Sequence, residues 1–587
     1  MRSANLADLL RDSIDRYGRR PLFGVRSFAG WTWISYEEFG EMVAAFRGGL
    51  AAIGVERADR VAVISKNRLE WAVAAHACYG LPATYVPMYE SQSEDEWAYV
   101  LGDSGAKVCI VDNDSIAARI ETLRARLPLL TRVLNFSAPP DDENGYSHLL
   151  RIGASAPHHG VSPDATEIAS LVYTSGTTGT PKGVMLSHAA LASSIAGVLA
   201  VADTDPDDRS VSFLPWAHVF GGCTELHLAI ASGGSLAICD DASKLLTYLP
   251  EVRPTILFAV PRVWNRVYDG VKQEIATKPA PVRWLFERAM RARRKLRRGD
   301  DVGPAERMLL TLSDPVVFAP IRQRFGGRLR MAVSGAAALS QEVAEFVDGL
   351  GIQVFEGYGM TEGCGITTAS RPDAVRPGSV GKVIPGVSIE LDTSAPGCQG
   401  GEGEIILHGA CLFSGYHNLP DATAEVMTPD GGIRTGDLAR IDSDGFVYIT
   451  GRSKELYKLE NGKYVAPAPL EEALQLSPYI AQCVIFGADR PYNVALIVPD
   501  RGALWKWAAE QGLANRPDVL SDPRTIRLFK AELEKHGRAF KGFERPRAFI
   551  LEGDELSTDN GMLTPTLKVR RRSVLARFQT RLDALYM

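Results

Sequence analysis

Short runs of β-branched and other apolar residues recur through the first three quarters of the chain, at residues 61–64, 107–111, 211–214, 236–238, 255–260 and 329–333. Longer stretches with helical spacing separate many of them. This alternation predicts α/β layers over largely buried strands, while the period alone leaves the strand order open. Near the N-terminus, Leu6, Leu9, Leu10 and Ile14 recur among Asp8, Arg11, Asp12 and Asp15. That spacing predicts an amphipathic first helix without the apolar core of a signal peptide. The longest apolar stretch, residues 191–202, is interrupted by Ser193 and Ser194 and falls short of the roughly 20 residues that cross a bilayer. No membrane span is expected, and no internal repeat is visible.

Residues 440–450, RIDSDGFVYIT, read as a β-hairpin turning at Asp444 and Gly445, because Asp-Gly tolerates the positive φ angles of tight hairpins. Gly451-Arg452-Ser453-Lys454 follows, polar and glycine-led, and the main domain boundary is placed there. The remainder is long enough for a small α+β domain with helices predicted at residues 503–511 and 525–536. The fold class is therefore α/β, a large N-terminal region of several α/β subdomains with a small C-terminal α+β domain.

With 587 residues the chain has room for about three to five structural units. Its 45% hydrophobic and 23% charged residues match a folded soluble protein, expected to be a cytoplasmic enzyme. A net charge of −5 gives no global attraction to nucleic acid, so an anionic ligand must be held locally. Eight cysteines are scattered without a C-x-x-C pair, which predicts reduced structural thiols and no zinc site. One stretch departs from this bland surface: residues 283–298, RWLFERAMRARRKLRR, are basic and amphipathic. A solvated helix face packed against its own domain is the favoured reading, and peripheral contact with an anionic membrane is the other.

The strongest chemical signal is Tyr173-Thr174-Ser175-Gly176-Thr177-Thr178-Gly179-Thr180-Pro181-Lys182-Gly183, after the apolar run 168–172 and before a helix expected to begin at Ser187. Strand, loop, helix is the order of a phosphate loop. The glycines let backbone N–H groups turn inward, the hydroxyls add donors and Lys182 adds charge, so the loop suits a polyphosphate. It is not a Walker A sequence. This run resembles the signature loop of the adenylate-forming superfamily, which includes acyl-CoA synthetases, peptide-synthetase adenylation domains and firefly luciferase.

Further segments continue the resemblance in order. In Gly357-Tyr358-Gly359-Met360-Thr361-Glu362 it implies that Tyr358 stacks on adenine, Thr361 contacts the α-phosphate and Glu362 binds magnesium. These are an aromatic face for a flat base, a hydroxyl for a phosphate oxygen and a hard ligand for a hard cation. Ser334-Gly335-Ala336-Ala337 resembles the small-residue wall beside adenine and the acyl group. Asp437, in Thr435-Gly436-Asp437, is implied to hold the ribose hydroxyls, and Arg452 to bind ribose or phosphate. Lys568, closing Asn560-Gly561-Met562-Leu563-Thr564-Pro565-Thr566-Leu567-Lys568, is implied as the catalytic lysine. An ammonium bridging the substrate carboxylate and the α-phosphate offsets the repulsion of two anions. His218, in Leu214-Pro215-Trp216-Ala217-His218-Val219-Phe220, is implied to line the acyl pocket with Gly335, core packing being the other reading.

Residues 260–268, 461–467 with Leu470 and Glu471, and 560–568 point to the long-chain fatty acyl-CoA synthetase branch. Leu459-Glu460-Asn461 departs from it, since relatives more often show a Thr-Ser-Gly-like run there. The resemblance implies an N-terminal adenylate-forming domain over 1–451, a hinge at 452–455 centred on Lys454, and a mobile lid domain over 456–587. It implies fatty acid, ATP and CoA as substrates, magnesium as cofactor, and acyl-CoA, AMP and pyrophosphate as products. A medium-chain or aromatic acid, or a carrier-protein thiol as acceptor, is the alternative, and a luciferase-like oxidative enzyme a distant one. A nucleotide-binding regulator without turnover is opposed by the intact Thr361, Glu362, Asp437, Arg452 and Lys568. Monomer and homodimer both stay open.

Overall fold

In the strand Arg60–Ile64, Val61 and Val63 pack into one hydrophobic cluster and Ala62 and Ile64 into another. Both faces are covered, which is why the strand reads as an unbroken apolar run. The computed structural model describes residues 3–156, 158, 160–174, 180–297, 300–396, 398, 400–513, 518–564 and 568–587. They form two compact units, residues 1–389 with 407–433, and residues 390–406 with 434–587.

In the first unit, six strands lie in the order Arg132–Asn135, Val108–Val111, Arg60–Ile64, Thr84–Met88, Ile168–Thr174 and Lys182–Ser187. All neighbours run parallel except the last pair. Helices Tyr36–Ala52 and Leu69–Tyr79 cover one face with Phe39, Phe46 and Trp71, and Glu94–Ser104 and Asp114–Leu123 cover the other with Trp97, Leu101 and Ile120. A second sheet runs Ile256–Ala259, Met331–Ser334, Gln353–Met360, Gly365–Ala369, Lys382–Val383, parallel across its first three strands and antiparallel after them. The N-terminal helix forms as expected, Leu6–Tyr17, with the Asn5 side chain accepting from Asp8 N. No helix among the described residues is long and apolar enough to cross a membrane.

Several predicted strands shift by a residue or two. The run at 211–214 becomes Arg209–Ser212, because Leu214 leaves the ladder to receive the Asn67 side-chain amide on its carbonyl at 2.7 Å. The hairpin at 440–450 pairs Ile433–Ile441 with Val447–Arg452. Its turn needs a positive φ only at Gly445, 83°, with Gly445 N on Asp442 O at 2.9 Å. In the C-terminal region, Ile480–Phe486, Asn493–Pro499 and Pro546–Leu551 form a three-stranded sheet. Leu470, Leu504 and Phe529 gather in one cluster against it and Val574, Phe578 and Leu582 in another. The helices predicted there are Arg501–Glu510 and Pro523–His536. The basic stretch lies in the helix Ala280–Arg297, whose Phe286, Ala289, Met290 and Ala292 are buried, as the packed-helix reading expects. All eight cysteines are free.

Three buried histidines surround Tyr79. The His76 ring lies 5.3 Å from those of Tyr79 and His227, and Tyr79 lies 5.7 Å from His188. Burial holds His188 and His227 down to about 4 and His76 well below the ordinary 6.5. A lowered pKa means that the unfolded chain takes up the proton first, so stability is present above about pH 6.5 and lost as pH falls toward 4. Each of His188 and His227 therefore removes on the order of 3 kcal/mol of stability as pH falls from neutral to about 4. The urea midpoint is therefore expected to fall steeply over that window, and His227→Gln to flatten the slope. An unchanged slope in the variant would remove His227 from the explanation.

Candidate active site

Ile168–Thr174 pairs antiparallel with Lys182–Ser187, which sets Thr174 opposite Lys182. The helix His188–Leu199 starts only after this second strand, capped by Ser187 Oγ accepting from Ala190 N at 3.1 Å. The expected order of strand, loop and helix is thus corrected to strand, loop, strand, helix. Gly183, Val184 and Leu186 are buried in the sheet, and the helix follows from Ser187 as expected. Ser175, Gly176, Thr177, Thr178 and Gly179 lie outside the described residues.

A segment that the sequence did not single out stitches this hairpin to the next motif. Phe413 N donates to Glu362 O at 2.8 Å, Ser414 N to Met185 O at 2.9 Å, and His417 N to Gly183 O at 2.7 Å. Within it, the Tyr416 hydroxyl donates to Glu362 Oε1 at 2.7 Å, and Lys182 Nζ stands 4.8 Å from the centre of the Tyr416 ring. Burial and the Glu362 carboxylate both push the phenol pKa up, so it stays a donor across the working pH range. The only sequence signal was a glycine-aromatic pair in a turn-rich run, Phe-Ser-Gly-Tyr-His-Asn, which has no periodicity to read.

Tyr358 and Gly359 lie on the strand Gln353–Met360. A Cβ at Gly359 would stand 1.6 Å from Gly365 O, so the hairpin closes only on glycine. Thr361 and Glu362 follow on one 3₁₀ turn, the threonine buried and the glutamate half-buried. Cys364 ends that turn in the left-handed region, φ 55°, an uncommon conformation for a residue with a side chain. One strand over, Ser334 ends Met331–Ser334, and Ala336 is also left-handed at φ 68°.

Gly335 faces an aromatic ring: its missing Cβ would lie 3.0 Å from Phe220 Cζ. Phe220 N in turn donates to His218 Nδ1 at 3.2 Å, so His218 and Gly335 are linked through Phe220, whose contact the sequence did not foretell. Phe220 opens the π-helix Phe220–His227, a rare element often found at functional sites. The buried Glu225 anchors it by accepting from Ser210 at 2.9 Å and Ser212 at 2.6 Å, and burial pushes its carboxyl up to about 8.

In the second unit, Asp437 and Arg452 are partners across the hairpin, Arg452 Nε 2.5 Å from Asp437 Oδ1, with Asp437 only 4% exposed. Lys454 is exposed on the turn that follows. Lys568 is exposed as well, its backbone N on Thr564 Oγ1 at 3.1 Å. The structure thus gathers Thr174, Lys182 and Glu362 in one unit and Asp437 and Arg452 in the other.

A model of the AMP-binding enzyme family matches residues 10–417, and one of the AMP-binding enzyme C-terminal domain matches residues 455–587. The chain belongs to the AMP-binding enzyme family. Among family members, a long-chain-fatty-acid–CoA ligase of Mycobacterium tuberculosis is 33% identical over 95% of this chain and 92% of its own length. The peroxisomal long chain acyl-CoA synthetase 7 of Arabidopsis thaliana is 30% identical over 99% of this chain and 86% of its own. The fold matches the adenylation domain of a carboxylate reductase from Mycobacterium chelonae with a TM-score of 0.80 at 23% identity, covering 99% of this chain and 91% of that one.

Tyr416→Phe removes one hydrogen bond to a half-buried carboxylate while keeping the ring beside Lys182, and is expected to destabilise the first unit by about 1–2 kcal/mol. Tyr416→Leu removes the ring as well and should cost more. Equal denaturant midpoints for the parent and both variants would show that Tyr416 does not tie the two motifs together.

Proposed function

We propose that this protein is a long-chain fatty acid–CoA ligase, converting fatty acid, ATP and CoA to acyl-CoA, AMP and pyrophosphate through an acyl-adenylate. The observation that carries this reading is the 33% identity, over 95% of the chain, to a long-chain-fatty-acid–CoA ligase. The linked Lys182, Tyr416 and Glu362 support it, because they set a cation and a carboxylate side by side where a polyphosphate must be held. Eight free cysteines support a cytoplasmic location.

In the first half-reaction a carboxylate oxygen of the acid attacks the α-phosphorus, and the bond to pyrophosphate breaks. Residues 174–179 and Lys182 bind the phosphates, Thr361 contacts the α-phosphate, and Tyr358 stacks on adenine beside Gly359, Gly335 and Ala336. Asp437 takes the ribose hydroxyls, with Arg452 holding that carboxylate in place. Lys568 bridges the substrate carboxylate and the α-phosphate, lowering the repulsion between them. Glu362 is the residue that would hold magnesium: a hard oxygen donor whose orientation Tyr416 sets, which fits a hard cation. When bound, that ion neutralises phosphate charge. In the second half-reaction the CoA sulfur, its proton released to solvent, attacks the acyl carbon and the bond to AMP breaks. A hinge at Lys454 lets the C-terminal lid withdraw Lys568 between the two steps. His218 and Gly335 flank the acyl chain.

The first test is a panel of acids from acetate to about twenty carbons, followed by pyrophosphate release and separately by thioester formation, with both signals expected to peak between about twelve and eighteen carbons. Pyrophosphate without thioester would replace CoA with another acceptor, and neither signal with any acid would overturn the assignment. Lys568→Ala is expected to lose adenylation by at least about a hundredfold while still converting preformed acyl-adenylate to thioester. Normal adenylate formation in that variant would refute the role given to Lys568.

A further inference from the structure

The strand Ile480–Phe486 lies at the edge of its three-stranded sheet, beside Asn493–Pro499. Residues on an edge strand turn backbone N–H and C=O groups away from the sheet, and where these are buried they need other partners. At the fully buried Ile485 two side chains supply them. Ile485 N donates to Glu471 Oε1 at 2.6 Å, and Arg571 Nη1 donates to Ile485 O at 2.7 Å. The circle closes through Arg571 Nη2, which donates to Glu471 Oε2 at 2.8 Å. One carboxylate and one guanidinium thus stand in for a neighbouring strand.

The two side chains come from distant parts of the C-terminal region. Glu471 lies on the helix Pro467–Leu474, the first described helix after residues 452–455, and is only 8% exposed. Glu455 stands close enough for its charge to act on both partners. Arg571 opens the helix Arg571–Asp583, three residues after Lys568. A cation at a helix N-terminus opposes the helix dipole, so its own helix gives no reason for an arginine there. Glu471 gives one. Net stability is a poor reason for the pair, because the desolvation of two buried charges largely offsets their attraction, and well-packed apolar side chains often replace such a pair without loss. What the pair adds is a fixed register.

The register in question is that of Lys568. Arg570 N donates to Met562 O at 2.8 Å, and Thr564 N to Lys568 O at 2.8 Å, so the backbone on the two sides of residues 565–567 is paired. Met562 and Leu563 are buried with Val574 and Phe578 of the helix that follows. This frame leaves Lys568 exposed, and Arg571 fastens the frame's C-terminal end to the sheet edge and to Glu471. We propose that Glu471 and Arg571 are positioning residues, whose ion pair across Ile485 sets where Lys568 is presented for adenylation. The proposal rests on the role given to Lys568 above, and assigns neither residue a contact with substrate.

The test is Glu471→Met together with Arg571→Met in the full chain, which removes both charges at once and leaves neither buried alone. Adenylate formation is followed as single-turnover pyrophosphate release, with magnesium ATP and the acid that reacts fastest in the panel. It is expected to slow about ten- to a hundredfold, the effect of a reacting group misplaced by about 1 Å. The melting temperature, the half-saturating ATP concentration and the conversion of preformed acyl-adenylate to thioester are expected to match the parent. Adenylation at the parent rate in the folded variant would overturn the proposal. So would an equal loss in both half-reactions, which would make the pair a support for the whole C-terminal region. Should the double variant fail to fold, Arg571→Lys takes its place, keeping the charge but losing the fork that reaches Glu471 and Ile485 O together, and the same outcomes decide. Lys568→Ala is measured beside them. Lost adenylation in Lys568→Ala with parent-like adenylation in the pair variant overturns this proposal alone, whereas normal adenylation in Lys568→Ala removes the role on which it rests.

Discussion

Tyr416 solves a problem of opposite charges. The site proposed for a polyphosphate and its counter-ion sets an ammonium and a carboxylate near each other, yet left alone they would pair and cancel. Here the phenol ring faces Lys182 Nζ at 4.8 Å and the hydroxyl binds Glu362 Oε1 at 2.7 Å. One side chain thus satisfies the cation through its π-face and the anion through its O–H, and among the described residues Lys182 forms no ion pair. The ring is fixed in turn by backbone bonds from residues 413–417 to Glu362, Met185 and Gly183.

The remaining site elements of the first unit depend on close backbone approaches. Gly359 lies where any side chain would strike Gly365, and Gly335 where a methyl group would press on Phe220. These contacts hold because the buried sheets on either side leave little room to relax. Buried ionisable groups sharpen the effect. Glu225, anchored by two serines, and the histidines around Tyr79 are kept neutral by burial, so the packing that carries the site is also its pH-sensitive part.

Much of this was legible beforehand because it rests on local pattern. The helix at Leu6–Tyr17 follows from 3.6-residue spacing, and the buried strand at Arg60–Ile64 from its unbroken apolar run. The hairpin at Ile433–Ile441 and Val447–Arg452 follows from one Asp-Gly turn, and it also explains why Asp437 and Arg452, fifteen residues apart, meet. The family's motifs stood out because runs of glycine and hydroxyl residues are rarely needed for packing. The helix after Ser187 was read correctly, but the strand Lys182–Ser187 before it was read as loop, because Lys182 and Gly183 continue the glycine- and hydroxyl-rich run and hide the short strand that follows.

By itself, then, the sequence determined the α/β class, the two-part organisation and the family, because period, turn chemistry and short motifs are properties of neighbours along the chain. Only the tertiary structure decided that Tyr416 joins Lys182 to Glu362, that Phe220 lies against Gly335, and that one side of the helix Ala280–Arg297 is spent on packing while the other stays exposed. Those partners lie far apart in sequence, and a contact between distant residues is selected by how whole layers fill space, which no local pattern encodes.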